Sequence, residues 1–237
     1  MTEKTEDGDL DLFTREKQSN TAYEKIKNRK TIVAGCGNVG SVLATILAES
    51  GIPEIILIDF DDYSYVDNRQ LYSTESNIGK NKAIATATGI AERVRCYVRP
   101  YNGDAVKMFK DNIIDPTGYD VFLCVDNVPV RKEIVDEINK IWDSGIILDV
   151  GVEKNAIQIS NYKDKTPHNL YGQDDGGGHC VTIPLASFKA FMAASIMSAA
   201  YFSIFETEGT EDAPLVPFDH SLQIYTNTMT KFLRQIP

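Results

Sequence analysis

The stretch from Thr31 to Gly40 restricts the fold more than any other part of the chain. Thr31-Ile-Val-Ala34 is a short, β-branched run that reads as a buried strand. It leads directly into Gly35-Cys-Gly-Asn-Val-Gly40, and behind that Val42, Leu43, Ile46 and Leu47 recur at helical spacing as far as Ser50. Strand, Gly-x-Gly-x-x-Gly and helix form a nucleotide-binding arrangement. Glycines let the backbone approach phosphates, and a helix N-terminus offers unpaired amides and the positive end of its dipole. Gly51 is a helix stop. A second strand over Glu54 to Ile58 closes on Asp59, where an acid accepts hydrogen bonds from ribose hydroxyls. On these features alone an NAD-binding oxidoreductase fits as well as an ATP-using protein, and a lone glycine triplet is also compatible with a plain tight turn.

The remaining periodicity continues the alternation. Helices are predicted over Lys80 to Val94 and from about Val130 to Trp142; strands are predicted over Arg95 to Tyr101, Val121 to Val125 and Gly145 to Asp149. Strand–helix alternation of this kind predicts a Rossmann-like α/β fold, a mostly parallel sheet with helices on both faces. Ala156 to Ser160 adds an antiparallel strand, beginning an antiparallel C-terminal extension. Residues 1–12 read as a disordered acidic tail and residues 13–237 as one domain, opening on a helix over Phe13 to Arg29. A long glycine-rich connection, Asn161 to Cys180, fits no ordinary element. Pro184 to Phe205 reads as a long buried helix, and Leu222 to Leu233 as a strand or short helix.

Composition narrows the partners. The 237 residues carry a formal net charge of −10, which repels a phosphate backbone and argues against nucleic acid. Cys36, Cys96, Cys124 and Cys180 form no Cys-x-x-Cys pair, so a zinc site of that kind is not expected. Scattered thiols and an acidic start without an apolar run read as a reduced, cytoplasmic protein. The longest apolar stretch, Ile183 to Phe205, contains Lys189 and several serines and reads as a core helix rather than a membrane span.

A second group of motifs separates the nucleotide readings. Asp59-Phe-Asp61-Asp62 leads to Asp67-Asn68-Arg69-Gln70, then to Ile78-Gly79-Lys80-Asn81-Lys82-Ala83 and on to Cys124-Val-Asp126-Asn127, with Arg131 beyond. Cations and an acid thus follow successive strands, at the sheet edge where open α/β folds bind ligands. A nicotinamide enzyme has no general need for this set. A triphosphate and its metal do, because Arg and Lys neutralise phosphate oxygens and a carboxylate holds Mg²⁺. Taken together, Gly35-x-Gly-x-x-Gly40-Ser41, Asp59-x-Asp61, Asn68-Arg69-Gln70, the Ile-Gly-Lys-x-Lys-Ala stretch and Asp126-Asn127 resemble the ThiF/MoeB/HesA superfamily, which includes the ubiquitin-activating enzymes. The resemblance is strong over about Lys30 to Val150.

That resemblance implies a set of roles. Gly35, Gly37, Asn38 and Gly40 would form the nucleotide loop, and Asp59 would bind ribose, with Asp61 and Gln70 nearby. Asn68, Arg69 and Lys82 would contact the phosphates of ATP, and Asp126 would bind Mg²⁺. The implied reaction is attack of a C-terminal carboxylate, from a ubiquitin-like or sulfur-carrier protein or a peptide, on the α-phosphorus of ATP. A carboxylate is already ionised at pH 7, so positioning and electrostatics suffice and no catalytic histidine is needed. A homodimer is implied as well; a catalytically silent partner subunit is the alternative within the family. Three departures stand out. The linker from Asp59 to Arg69 is one residue short of the family pattern, paired Cys-x-x-Cys motifs are absent, and Arg15 is the only candidate for the N-terminal arginine that reaches a partner's site. Cys180, after Gly176-Gly-Gly-His179, reads equally as a thiol for later thioester or persulfide chemistry and as a core residue beside Val181 and Ile183.

Overall fold

The computed structural model describes residues 23–67, 70–142, 145–152, 156–162, 187–209, 211 and 221–225. The acidic tail, most of the helix expected from Phe13, and the glycine-rich connection beyond Tyr162 lie outside the described residues.

A short helix α1 (Tyr23–Ile26) precedes β1 (Lys30–Ala34). The glycine loop and α2 (Gly40–Glu49) follow, then β2 (Glu54–Asp59), α3 (Lys82–Ala91), β3 (Tyr97–Asn102), α4 (Ala105–Lys110), β4 (Tyr119–Leu123), α5 (Val128–Ile141) and β5 (Ile147–Val152). β6 (Ala156–Asn161), α6 (Ser187–Glu206) and β7 (Ser221–Tyr225) follow, and two short 3-10 helices, Tyr65–Asp67 and Glu75–Asn77, lie between β2 and α3. They form one seven-stranded sheet in the order β3-β2-β1-β4-β5-β6-β7. The first five strands are parallel, while β6 and β7 run antiparallel to their neighbours. The Rossmann-like architecture and its antiparallel extension are those expected from the alternation of elements.

Each face of the sheet buries its own layer. Val33, Leu57 and Leu148 point toward α2, α3 and α6; Ile32, Ile56 and Ile147 point toward α4 and α5. Strict alternation along β1, β2 and β5 therefore feeds two cores at once, which is why these strands read as continuous apolar runs. By length and composition α6 would reach across a bilayer. Its Ala193, Ala194, Met197 and Tyr201 are instead buried in the first core, and the helix packs on α2, β5 and β6.

Polar side chains tie the edges of the layers. Asp120, fully buried on β4, accepts from the Arg29 guanidinium, from the Tyr201 hydroxyl at 2.7 Å and from the Ile146 amide at 3.1 Å. One carboxylate thus joins the start of β1, the approach to β5 and helix α6.

The structure shifts several boundaries and adds an element. α3 begins at Lys82 rather than Lys80, because Asn81 adopts an extended conformation and caps the helix through its side chain. α4 is absent from the sequence reading; at six residues it is too short for a periodic signal, although Asp104 caps it by accepting from the Lys107 amide. The expected C-terminal strand or short helix is the strand β7. Trp142 packs in the second core, as expected from its place at a helix end.

Candidate functional site

The sheet order reverses between β1 and β4, and a crevice opens there beyond the carboxyl ends of the strands. A cleft of about 640 Å³ occupies it, within the usual size for a small-molecule site. The loop after β1 forms its floor. Gly35 stands at φ +92°, and a Cβ there would meet the Cys124 and Val125 backbone at 2.8–2.9 Å. A Cβ on Gly40 would fall 1.8 Å from the Gly35 carbonyl oxygen. These two glycines are therefore demanded by close packing of the loop against itself and the β4 turn. Gly37 differs: nothing lies within 4 Å of where its Cβ would be, so the backbone there faces open space. Ser41 turns back to donate to the Gly37 carbonyl at 2.7 Å and holds the loop from below. Val39, at the N-cap position of α2, brings no side-chain cap, and the first turn carries no acid. The helix start thus leaves amides and its dipole to an outside anion.

Asp59 anchors the loop to the end of β2. One carboxylate oxygen accepts from the Cys36 amide at 2.6 Å and the other from the Asp61 amide at 2.8 Å. Burial pushes its pKa up, and these two amides oppose that rise. Each oxygen keeps a further lone pair for a ribose hydroxyl.

The next wall comes from the segment leading into α3. Asn81 accepts from the Ala83 and Ile84 amides and donates to the carbonyls of Asp59 and Asp61, at 3.0 and 3.1 Å. The helix start is thereby fastened to the end of β2, and Lys82 is aimed along the cleft. Only 8% exposed, Lys82 reaches Asp61 at 3.3 Å and Asp67 at 3.4 Å. Burial works against its charge, but Asp61, Asp67 and Asp59 outweigh burial and hold its pKa above the ordinary lysine value. Asp67 is fixed by the Ser64 amide and hydroxyl and by Gln70, at 2.7–2.8 Å.

The opposite wall is the turn after β4. Exposed Asp126 lines the cleft there, and Asn127 caps α5 by accepting from the Val130 amide at 3.2 Å. Beneath them lies Arg131, 4% exposed, donating from Nε to the Val125 carbonyl and pairing with Asp149 of β5 at 3.0 Å. Val150 and Val152 of β5 add an apolar end to the cleft.

Gly35, Gly37, Asn38, Asp59, Asp61, Gln70, Lys82 and Asp126, all singled out in the sequence, therefore line one cleft. Gly40 does not line it and sits behind, under the Gly35 carbonyl. Asn68, Arg69 and Cys180 lie outside the described residues. The other cysteines are packing residues. Burial raises the Cys36 thiol well above its ordinary value and pushes Cys96 and Cys124 up to about 12. Asn81, Asp67 and the Arg131–Asp149 pair carry functions that sequence reasoning did not assign. A cap signal precedes α3 and could have found Asn81; nothing in the spacing links Arg131 to Asp149.

The donors in the cleft suit a magnesium nucleotide. The Asn38 side-chain oxygen is buried without a partner, and the loop at Gly37 is open to an incoming phosphate. Among the described residues no three His, Cys, Asp or Glu side chains converge as a metal cage. Mg²⁺ needs none, because it keeps its waters and bridges phosphate oxygens to one or two carboxylates.

The model of the ThiF family matches residues 11–161. Ubiquitin-like modifier-activating enzyme 5 of Dictyostelium discoideum is 30% identical over 150 residues, covering 57% of this chain and 38% of that protein. Its counterpart in Culex quinquefasciatus is 31% identical over 150 residues, covering 57% and 36%. The chain thus aligns with well under half the length of these relatives. Among solved structures, E. coli MccB with AMPCPP and MccA superposes with a TM-score of 0.69 at 20% identity, over 93% of this chain and 70% of that one. The E. coli tRNA N6-threonylcarbamoyladenosine dehydratase TcdA superposes with a TM-score of 0.51 at 25% identity, over 60% of each chain. The MccB likeness establishes the shared fold, and the family match extends over the whole region that builds the cleft, from the glycine loop to the end of β6; the chain belongs to the ThiF family.

Proposed function

We propose that this protein is an adenylyltransferase that uses ATP, as its magnesium complex, to activate the C-terminal carboxylate of a small ubiquitin-like or sulfur-carrier protein or of a peptide. The observation that carries this reading is the convergence of Gly37, Asp59, Lys82 and Asp126 on one cleft. Asp59 is at the ribose position, the open glycine loop and the start of α2 face the phosphates, and Lys82 lies farther along the same cleft. Asp126, with Asn38 across the loop, would hold the metal, which supplies charge neutralisation at the phosphates. The substrate carboxylate attacks the α-phosphorus, the bond from that phosphorus to the bridging oxygen breaks, and pyrophosphate leaves with the negative charge. Lys82, and Arg69 from the preceding segment, would stabilise that departing charge. The relatives' names support the substrate class, since they are ubiquitin-like modifier-activating enzymes, and MccB has been crystallised with ATP and with MccA.

The nucleotide is tested directly. ATP with magnesium is expected to raise the melting temperature of the protein and NAD to leave it unchanged, because only a ligand bound to the native state stabilises by mass action. Stabilisation by NAD without any by ATP would favour an oxidoreductase and remove the adenylyltransferase reading.

We propose further that residues 13–237 act as one adenylation domain and pair as a homodimer. The described strands all belong to one sheet. In such a pair Arg15 of one copy would reach the cleft of the other. Light scattering is expected to give twice the mass of one chain; a monomer that retains activity at nanomolar dilution would contradict the pairing.

A further inference from the structure

Negative charge outweighs positive charge on the described walls of the cleft. Asp59, Asp61, Asp67, Asp104 and Asp126 line it against Lys82 and Arg131, and Arg131 is already matched from behind by Asp149. Lys82 is compensated as well, by two carboxylates within 3.4 Å. These two are unequal. The Asp61 side chain is 52% exposed and the Asp67 side chain 13%. Asp67 is also locked in place by Ser64 and Gln70. Burial alone would raise its pKa, but the Ser64 donors and Lys82 prevail and keep it below the ordinary aspartate value, so it is ionised at neutral pH.

We propose that Asp67 positions Lys82 and, as its built-in counter-ion, makes the cleft select the magnesium complex of a nucleoside triphosphate over the metal-free nucleotide. The inference rests on the ATP reading above. A metal-free triphosphate brings its full negative charge to a cleft in which Lys82 is already neutralised, and it must compete with Asp67 for that cation. The magnesium complex brings far less net charge and offers the acids a cation in exchange. Without Asp67 the ammonium of Lys82 would keep only the exposed Asp61 as counter-ion, which solvent screens, and would be more available to either form. Asp67 is thus a positioning residue that acts through Lys82.

Isothermal titration calorimetry on the full chain tests this, with ATP titrated once in excess magnesium and once in EDTA. The wild type is expected to bind metal-free ATP at least about tenfold more weakly than the magnesium complex. Asp67→Asn is expected to narrow that ratio by about tenfold, the effect of removing one unit charge a few ångströms from the phosphates, with much less change for the magnesium complex. The substitution keeps the shape of the site. Gln70 has an unpartnered Oε1, so its amide can turn to accept from the new NH₂ group. Thermal melting of the variant verifies that it is folded. Asp61→Asn is the second variant and is expected to narrow the ratio less, because solvent and salt screen an exposed carboxylate. Equal binding of the two forms by the wild type overturns the proposal, as does an unchanged ratio in folded Asp67→Asn; both leave the ATP reading standing. Should Asp67→Asn not fold, Asp67→Ser takes its place, and an unchanged ratio in that folded variant overturns the proposal instead. Failure of the wild type to bind ATP in either form overturns the ATP reading and this proposal together.

Discussion

Lys82→Ala is expected to lower ATP–pyrophosphate exchange by about a hundredfold or more, while leaving the fold intact. The size follows from where the charge sits. Lys82 is buried in the wall of the cleft, and neighbouring carboxylates keep it protonated. A cation shielded from water acts on developing phosphate charge far more strongly than one on the surface. It is also already oriented, by the Asn81 cap and by its own amide, which donates to the Asp61 carbonyl at 2.8 Å, so little reorganisation is needed at the moment of reaction. The fold should survive because that backbone hydrogen bond and the cap remain. Arg69→Ala and Asp126→Ala are expected to show losses of similar size. Exchange is read with a C-terminal peptide that supports it in the wild type. Near-normal rates in all three variants would show that the phosphate site lies elsewhere.

Arg131→Ala is expected to cost about 3–5 kcal/mol of stability, the usual consequence of leaving a buried charge without its partner. Asp149 is fully buried and Arg131 nearly so. The ion pair at 3.0 Å bridges α5 to β5, and Arg131 Nε also satisfies the Val125 carbonyl. Removing the guanidinium strips both groups of that partner; the Tyr162 hydroxyl, 3.2 Å from Asp149, cannot replace its charge. Chemical denaturation should report the loss as a lower midpoint. Replacing both members, Arg131→Met with Asp149→Leu, should recover much of it, since two apolar side chains leave no buried charge. A single variant that loses less than about 1 kcal/mol, the worth of an exposed pair, would show that water reaches Asp149.

The two predictions draw on different kinds of information. Lys82 and Asp126 stand out in the sequence because phosphate chemistry needs those residue types after successive strands. Arg131 stands out only as a cation near the same motif, and although the strand that ends on Asp149 is legible, nothing in the sequence ties the two together. Asp67 is a sharper case. In the sequence it is the first residue of Asp67-Asn68-Arg69-Gln70; in the fold it is the carboxylate that grips Lys82.

Local pattern by itself was enough to determine the order of strands and helices from Lys30 to Asn161 apart from α4, the glycine loop, and the sheet edge at which the cleft opens. Runs of β-branched residues, helical spacing and glycines act over a few neighbours, and the Rossmann-like order follows from their alternation. It also marked Gly35-x-Gly-x-x-Gly40 as a candidate phosphate loop, but not the different tasks of its glycines. Only the tertiary structure separates Gly35 and Gly40, which are packed against backbone, from Gly37, which faces open space. The same holds for helix α4, too short to show a period, and for the charge balance around Lys82. Counter-ions are set by distance in space: residues 61, 67 and 82 meet because Asn81 and the Lys82 amide tie the start of α3 to the end of β2 while Ser64 and Gln70 hold Asp67.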